Sequence, residues 1–409
     1  MRRLKRYICL VGLLALLAAA LTGCGFSDDS VEELFTLPRM AEEYTGLTQE
    51  LEALITQGYE YASPTGGRNI QSVQMADLDG DGQQEALAFF RMSSDEKPLK
   101  IFVFKIEGDS YARYCTIESS GTAIDSVYYQ DLNGDGRREL IVGWRISAEV
   151  QTVAMYTVAR EPVALMSSGY TRFTIQDLNG DGIPSLLVLR TDADSQPVAE
   201  FYGWQDEQMG VAYRCVLSST MASVNRGSLV SGRLDADTPA LYITGVDEQG
   251  MAATDILVFR QDLGLVNLAL SGSSTGVSNA VFPYRQLLPQ DINGDGIIEL
   301  PSPDTSWTTE QTDGLVSWLC CNGDGQLSTV AKTYHSLSCG WYFTIPESWW
   351  DWSVETVTTS ISNENQFSLA INGDPVLSLY TITGENRENR GRMGKRVLLR
   401  RQTATVYAG

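Results

Sequence analysis

A nine-residue phrase holds the densest chemistry of this chain. It reads Asp77-Leu78-Asp79-Gly80-Asp81-Gly82-Gln83-Gln84-Glu85 and returns as Asp131-Leu132-Asn133-Gly134-Asp135-Gly136-Arg137-Arg138-Glu139. A third copy, Asp177-Leu178-Asn179-Gly180-Asp181-Gly182-Ile183-Pro184-Ser185, ends in serine instead of an acid. The last is Asp291-Ile292-Asn293-Gly294-Asp295-Gly296-Ile297-Ile298-Glu299. Positions one, three and five set short oxygen-bearing side chains on one side of a tight turn, and the glycines allow φ > 0. Position seven (Gln83, Arg137, Ile183 and Ile297) can offer a backbone carbonyl, and position nine a bidentate carboxylate. Six or seven oxygens suit Ca²⁺, whereas Mg²⁺ keeps several of its waters. Without a cation the carboxylates would crowd at a cost in energy. The helical EF-hand needs its acid at position twelve. Here that position holds Ala88, Val142, Val188 and Ser302, so these are not EF-hands.

The elements that must position these loops follow from the spacing. Counting from Asp77, Asp131, Asp177 and Asp291, the gaps are 54, 46 and 114 residues. The last gap predicts a worn copy near residue 234. Gly232-Arg233-Leu234-Asp235-Ala236-Asp237-Thr238-Pro239 fits the frame but lacks the inner glycines, so no metal is expected there. Five units thus run from about Ile70 to Ser338, and a period near 50 points to a propeller or repeat array. The second unit predicts strands over Glu139–Ile146, Thr152–Val158, Pro162–Met166 and Thr171–Ile175. Four short strands per unit suit a propeller blade. The fold class expected is all-β: a propeller of about five four-stranded blades, with Asn69–Met75 supplying the strand that closes the ring. Closure would remove exposed edges.

The loop spelling, with its acid at position nine and strand residues after it, resembles the FG-GAP/VCBS repeats of integrin α-chain propellers and many bacterial surface proteins. The resemblance covers roughly residues 68–340. It implies Asp77, Asp79, Asp81 and Glu85 as ligands, with Asp131, Asn133, Asp135 and Glu139, and Asp291, Asn293, Asp295 and Glu299. The third loop would use Asp177, Asn179 and Asp181, more weakly, for want of the acid at Ser185. The alternative is that Asn-Gly-Asp-Gly merely makes hairpin turns. Cys321-Asn322-Gly323-Asp324-Gly325, which lacks the flanking acids, is expected to be only that.

The amino terminus predicts the compartment. Arg2, Arg3, Lys5 and Arg6 precede an apolar run from Tyr7 to Leu21, too short for a comfortable membrane span but suited to a signal sequence. It ends in Leu21-Thr22-Gly23-Cys24, which resembles the lipobox of bacterial lipoproteins. That implies cleavage before Cys24, a diacylglyceryl group on its sulfur, and anchoring at the extracytoplasmic face of the cell membrane. Several acyl chains make a lasting anchor. Residues 1–23 are thus read as the leader and 24–67 as a tether plus a helix. That helix is predicted over Arg39–Gln57, with Leu47, Leu51, Leu54 and Ile55 on one face. Residues 341–409 are read as a small, separate, β-rich C-terminal domain. Its strands are predicted at Trp341–Ile345, Phe367–Ile371, Val376–Tyr380 and Ala404–Tyr407, with its completeness left open. The sequence as a whole, with Gly340-Trp341-Tyr342-Phe343-Thr344-Ile345-Pro346-Glu347-Ser348-Trp349, resembles lipoproteins of anaerobic gut-type Firmicutes, a resemblance that transfers no activity.

Composition narrows the function classes. The formal charge is −21, and about −25 without the leader's four basic residues, which argues against nucleic-acid partners. His335 is the sole histidine and no G-x-S-x-G elbow accompanies it. P-loop and Rossmann fingerprints are also lacking. The expectation is therefore a non-enzymatic module that binds protein or glycan, with a cell-surface carbohydrate-active enzyme (hydrolase or lyase) as the alternative. Trp341, Trp349, Trp350 and Trp352 are expected to pack at the C-terminal seam rather than to stack on sugars. The cluster Arg387, Arg390, Arg392, Lys395, Arg396, Arg400 and Arg401 reads as a solvated hairpin. Cys115, Cys215, Cys320, Cys321 and Cys339 read as free thiols, with one bridge from Cys339 to the Cys320–Cys321 pair left open.

Overall fold

The computed structural model describes residues 44–108, 110–205, 208–270, 281–282, 287–303, 313–350, 354–371 and 373–409. Cys24, the leader and Trp352 lie outside these residues. The fold is all-β, six antiparallel sheets in chain order. The first contains β1 (Glu60–Tyr61), β2 (Val73–Ala76), β3 (Glu85–Arg91), β4 (Leu99–Glu107) and β5 (Ser110–Ser119). The second contains β6 (Ala123–Gln130), β7 (Glu139–Arg145), β8 (Gln151–Thr157) and β9 (Val163–Gly169). The third contains β10 (Arg172–Gln176), β11 (Ser185–Thr191), β12 (Pro197–Gln205) and β13 (Gln208–Val216). The fourth contains β14 (Ser228–Arg233), β15 (Pro239–Val246), β16 (Ala252–Arg260), β17 (Gly264–Asn267) and β18 (Val281–Phe282). The fifth contains β19 (Leu300–Pro303), β20 (Asp313–Cys321), β21 (Leu327–Ser336) and β22 (Trp341–Ile345). The sixth contains β23 (Val354–Ile361), β24 (Glu364–Ile371), β25 (Asp374–Thr383), β26 (Leu398–Arg401) and β27 (Thr405–Ala408).

Unbroken apolar runs explain the stacking. In β3, Ala86 through Phe90 are all buried, as are Leu140 through Val142 in β7. Successive strand side chains point to opposite faces, so such a strand needs cover on both. Leu87 and Phe89 pack with Ile124, Val127, Leu140 and Val142 of the second sheet. Ala86, Ala88 and Phe90 pack instead on Leu47, Leu51 and Leu54 of α1 (Thr45–Thr56). Ile141, Val153 and Met155 meet Leu186, Val188 and Tyr202 of the third sheet, whose Leu187, Leu189 and Phe201 meet Leu241 and Ile243 of the fourth. Tyr242, Ile256 and Val258 then meet Leu300 and Cys321 of the fifth. Each buried Leu, Ile or Phe contributes about 1.5–3 kcal/mol, so the seams between sheets hold the array together.

Several expectations shift. Ile55 is 47% exposed, so the helix buries three of its four expected apolar residues. Asn69–Met75 supplies no ring-closing strand: the strand begins at Val73, and β2 pairs with β3 inside the first sheet. Among the described residues, no apolar cluster joins the first sheet to the fifth or sixth. Thr171–Ile175 opens the third sheet, as β10, instead of completing the second. In the second, third and fourth sheets the first strand lies just before the loop, because the strands on either side of the loop pair with each other. Trp341–Ile345 pairs with β21, so the fifth sheet extends to Ile345 rather than stopping at Gly340. Tyr334 and Ile345 pack with Phe367, Leu369 and Ile371 of the sixth sheet, with Trp341, Trp349 and Trp350 around them. The tryptophans thus sit at the seam. The described cysteines are all free thiols, without a bridge from Cys339.

Candidate metal loops

Each full loop joins two adjacent strands of one sheet, or in the fifth sheet follows the single bridge Gln290–Glu299. All four share one hydrogen-bond frame. Asp77 accepts from Gly80 N (2.8 Å) and Gly82 N (3.1 Å), and Asp81 from Gln83 N (2.7 Å). Asp131 accepts from Gly134 N and Gly136 N, and Asp135 from Arg137 N. Asp177 and Asp181 repeat this with Gly180, Gly182 and Ile183. Asp291 and Asp295 do so with Gly294, Gly296 and Ile297. The glycines at positions four and six have φ between +74° and +87° in all four loops, a conformation side chains resist.

Position nine closes the frame. Glu85, Glu139 and Glu299 are buried, and one oxygen of each accepts the N–H of position two, at 2.7, 2.9 and 3.0 Å. Burial raises all three carboxyls above the usual range, and neighbouring aspartates raise each of them further. In the first loop, Asp77, Asp79 and Glu85 each place an oxygen within 4.8 Å of the others. Asn133, Asn179 and Asn293 instead donate to the aspartate at position five. Among the described residues, an oxygen of Asp79 and one of Asn179 are buried without a partner. Ser185 leaves the third loop without its closing acid. The worn copy is shorter: Arg233 pairs with Pro239, where Ala76 pairs with Glu85. Asn322 merely caps the β20–β21 hairpin, accepting from Asp324 N and Gln326 N.

The loops also lean on one another. Arg138 N donates to Leu78 O (2.7 Å), so the second loop is tied to the first. Pro184 has no N–H at that position of the third loop; Trp204 Nε1 donates to Leu132 O instead, at 2.8 Å.

One participant was not foreseen from the repeat. Lys105, on β4, donates to Asp79 and lies 3.5 Å from Glu85 Oε1. Its contact holds the Asp79 carboxyl below the usual carboxylate range. The signal available in the sequence was that only this loop has Asp, not Asn, at position three.

Elsewhere, His335 is buried between Trp318 and Tyr342, its Nε2 unpartnered among the described residues, and burial lowers it to about 4. In the basic hairpin, Arg390 and Arg396 pair with Glu364.

No protein-family model and no curated protein sequence matches this chain. Among solved structures, a Bacillus licheniformis rhamnogalacturonan lyase is similar at a TM-score of 0.36 and 14% identity, over 86% of this chain and 72% of that one. AofleA from Arthrobotrys oligospora gives 0.25 and 9%, over 80% and 86%. A subtype N10 neuraminidase-like protein of A/little yellow-shouldered bat gives 0.27 and 12%, over 78% and 98%. Likeness at this level assigns no activity.

Proposed function

We propose that this chain is an extracytoplasmic lipoprotein, tethered to a membrane through Cys24, whose calcium-braced β body serves as a binding module for protein or glycan. The observation that carries the calcium reading is the buried ninth-position acid of the second and last loops. Glu139 and Glu299 are 3% and 1% exposed. Each lies near two aspartates, and among the described residues neither has a lysine or arginine partner. A divalent cation would supply the missing charge. At ~1 mM calcium and a Kd of ~0.1 mM, each site would stabilise the fold by about 1.4 kcal/mol.

The propeller reading is supported by one further feature. Residues of β2, β6, β10 and β14, the strands just before the loops of four successive sheets, border a single cavity of about 800 Å³. About five blade-like sheets would fan around it, with the loops bracing each blade to the next. The cavity is lined by amides, aromatic rings and two arginines. A glycosidase needs two facing carboxyls, so the lining favours a binding module over a carbohydrate hydrolase.

Two experiments test this. The mature chain should melt at a higher temperature in calcium than in EGTA; identical melts would remove the metal from the proposal. Cys24→Ala should leave the membrane fraction, and a variant that stays acylated would contradict the anchor.

A further inference from the structure

The cavity bordered by β2, β6, β10 and β14 differs from its surroundings in charge. The chain has 51 acidic residues against 30 basic, yet among the described residues the lining includes Arg68 and Arg138 and no carboxylate. Some arginines elsewhere are neutralised by acids, as Arg145 is by Asp125, Arg190 by Glu200 and Arg396 by Glu364. For Arg68 and Arg138 no ion pair occurs among the described residues.

Both arginines are nonetheless held in place through their backbones. Gln74, itself buried, donates from Nε2 to Asn69 O (3.0 Å) and Gln71 O (2.9 Å), and accepts from Tyr129 Oη (2.6 Å). Asn69 Nδ2 donates to Val127 O at 3.1 Å. These bonds pin the segment carrying Arg68 against the second sheet. Arg138 is fixed by its N–H to Leu78 O. Gln176, also on the wall, has a buried Nε2 with no partner among the described residues. A buried donor left unmade is costly, so a ligand acceptor there would recover that loss.

We propose that this cavity binds an anionic sugar. The guanidiniums would grip a carboxylate or phosphate in their fork geometry, and the amides of Gln130 and Gln176 would bond hydroxyls. A volume of about 800 Å³ accommodates a short oligosaccharide. This deepens the binding-module reading and rests on it, but does not depend on calcium.

The test is calorimetric titration of the full mature chain with three probes: trigalacturonate, its fully methyl-esterified and therefore uncharged form, and glucose 1,6-bisphosphate. Binding of either anion, weakened by added salt and about ten-fold weaker in each of Arg68→Gln and Arg138→Gln, is the expected result. The stronger anion identifies carboxylate or phosphate as the recognised group. Arg401→Gln, on the far sixth sheet, should bind as wild type does. Equal binding of the uncharged ester would overturn the anionic assignment while leaving a glycan-binding module standing. Silence from all three probes, or binding indifferent to both cavity arginines, would overturn the inference.

Discussion

The first and second loops share a spelling and a hydrogen-bond frame, yet they balance their charge differently. The first has one carboxylate more, Asp79 in place of Asn133, and it has an ammonium, Lys105, against Asp79 and Glu85. By register, Ala86 pairs with Phe104 and Leu140 with Tyr156, so Thr157 takes the place of Lys105 in the second sheet. Leu300 pairs with Leu319, which puts Cys320 there in the fifth. A lysine on the third strand can thus do part of a metal's electrostatic work, and only the first loop has one. On the proposed calcium reading, ion affinity would depend on a residue outside the repeat phrase as well as on the phrase itself.

The largest effect should come from removing that ammonium. In chelator, Lys105→Met strands the buried Glu85 and should cost about 3 kcal/mol in urea unfolding. Calcium should restore most of the loss by entering the vacated place. The matched Thr157→Val should change stability by no more than about 0.5 kcal/mol. Equal losses at the two positions would erase the distinction between the loops.

Next comes the second loop's own acid. Glu139→Gln should abolish the stabilisation of about 1.4 kcal/mol that calcium gives at this site, read as a smaller calcium-induced rise in melting temperature. The same variant isolates a pH effect. The Glu139 carboxyl is raised above its ordinary 4.5 by burial first and by Asp135 and Asp131 second. The folded chain therefore holds that proton where the unfolded chain has released it. Calcium-free wild type should lose stability relative to Glu139→Gln as pH rises above about 4.5. A constant gap between the two proteins across that range would contradict the assignment.

How much of this was legible in the sequence follows from where each cause lies. The aspartates and glycines act within the loop, so spelling alone anticipated their turn and its positive φ. Lys105 acts across a strand pair, far along the chain from Asp79, and no reading of the repeat could place it. The unit frame was displaced for a related reason. Loops are the most recognisable feature, but strands pair across them, so Thr171–Ile175 belongs with the strand after the loop. Trp341–Ile345 was assigned by its change of composition, whereas its pairing with β21 decides its sheet. The arginines of the cavity were likewise invisible as a pair, since Arg68 and Arg138 meet only through the packing of the first two sheets.

A smaller and cleaner effect is expected at the third loop. Ser185→Glu supplies the absent ninth-position acid to a frame already formed by Asp177 and Asp181. Titration should then count one more tight calcium site than in wild type, with little change in the chelated protein's stability.

The most direct measurement is a calorimetric calcium titration of the mature wild-type chain, counting ions. The expected result is saturable heat from two tighter sites, the second and last loops, with weaker uptake where Lys105 must first be displaced. Flat heats at millimolar calcium would mean that the aspartates and glutamates only shape turns.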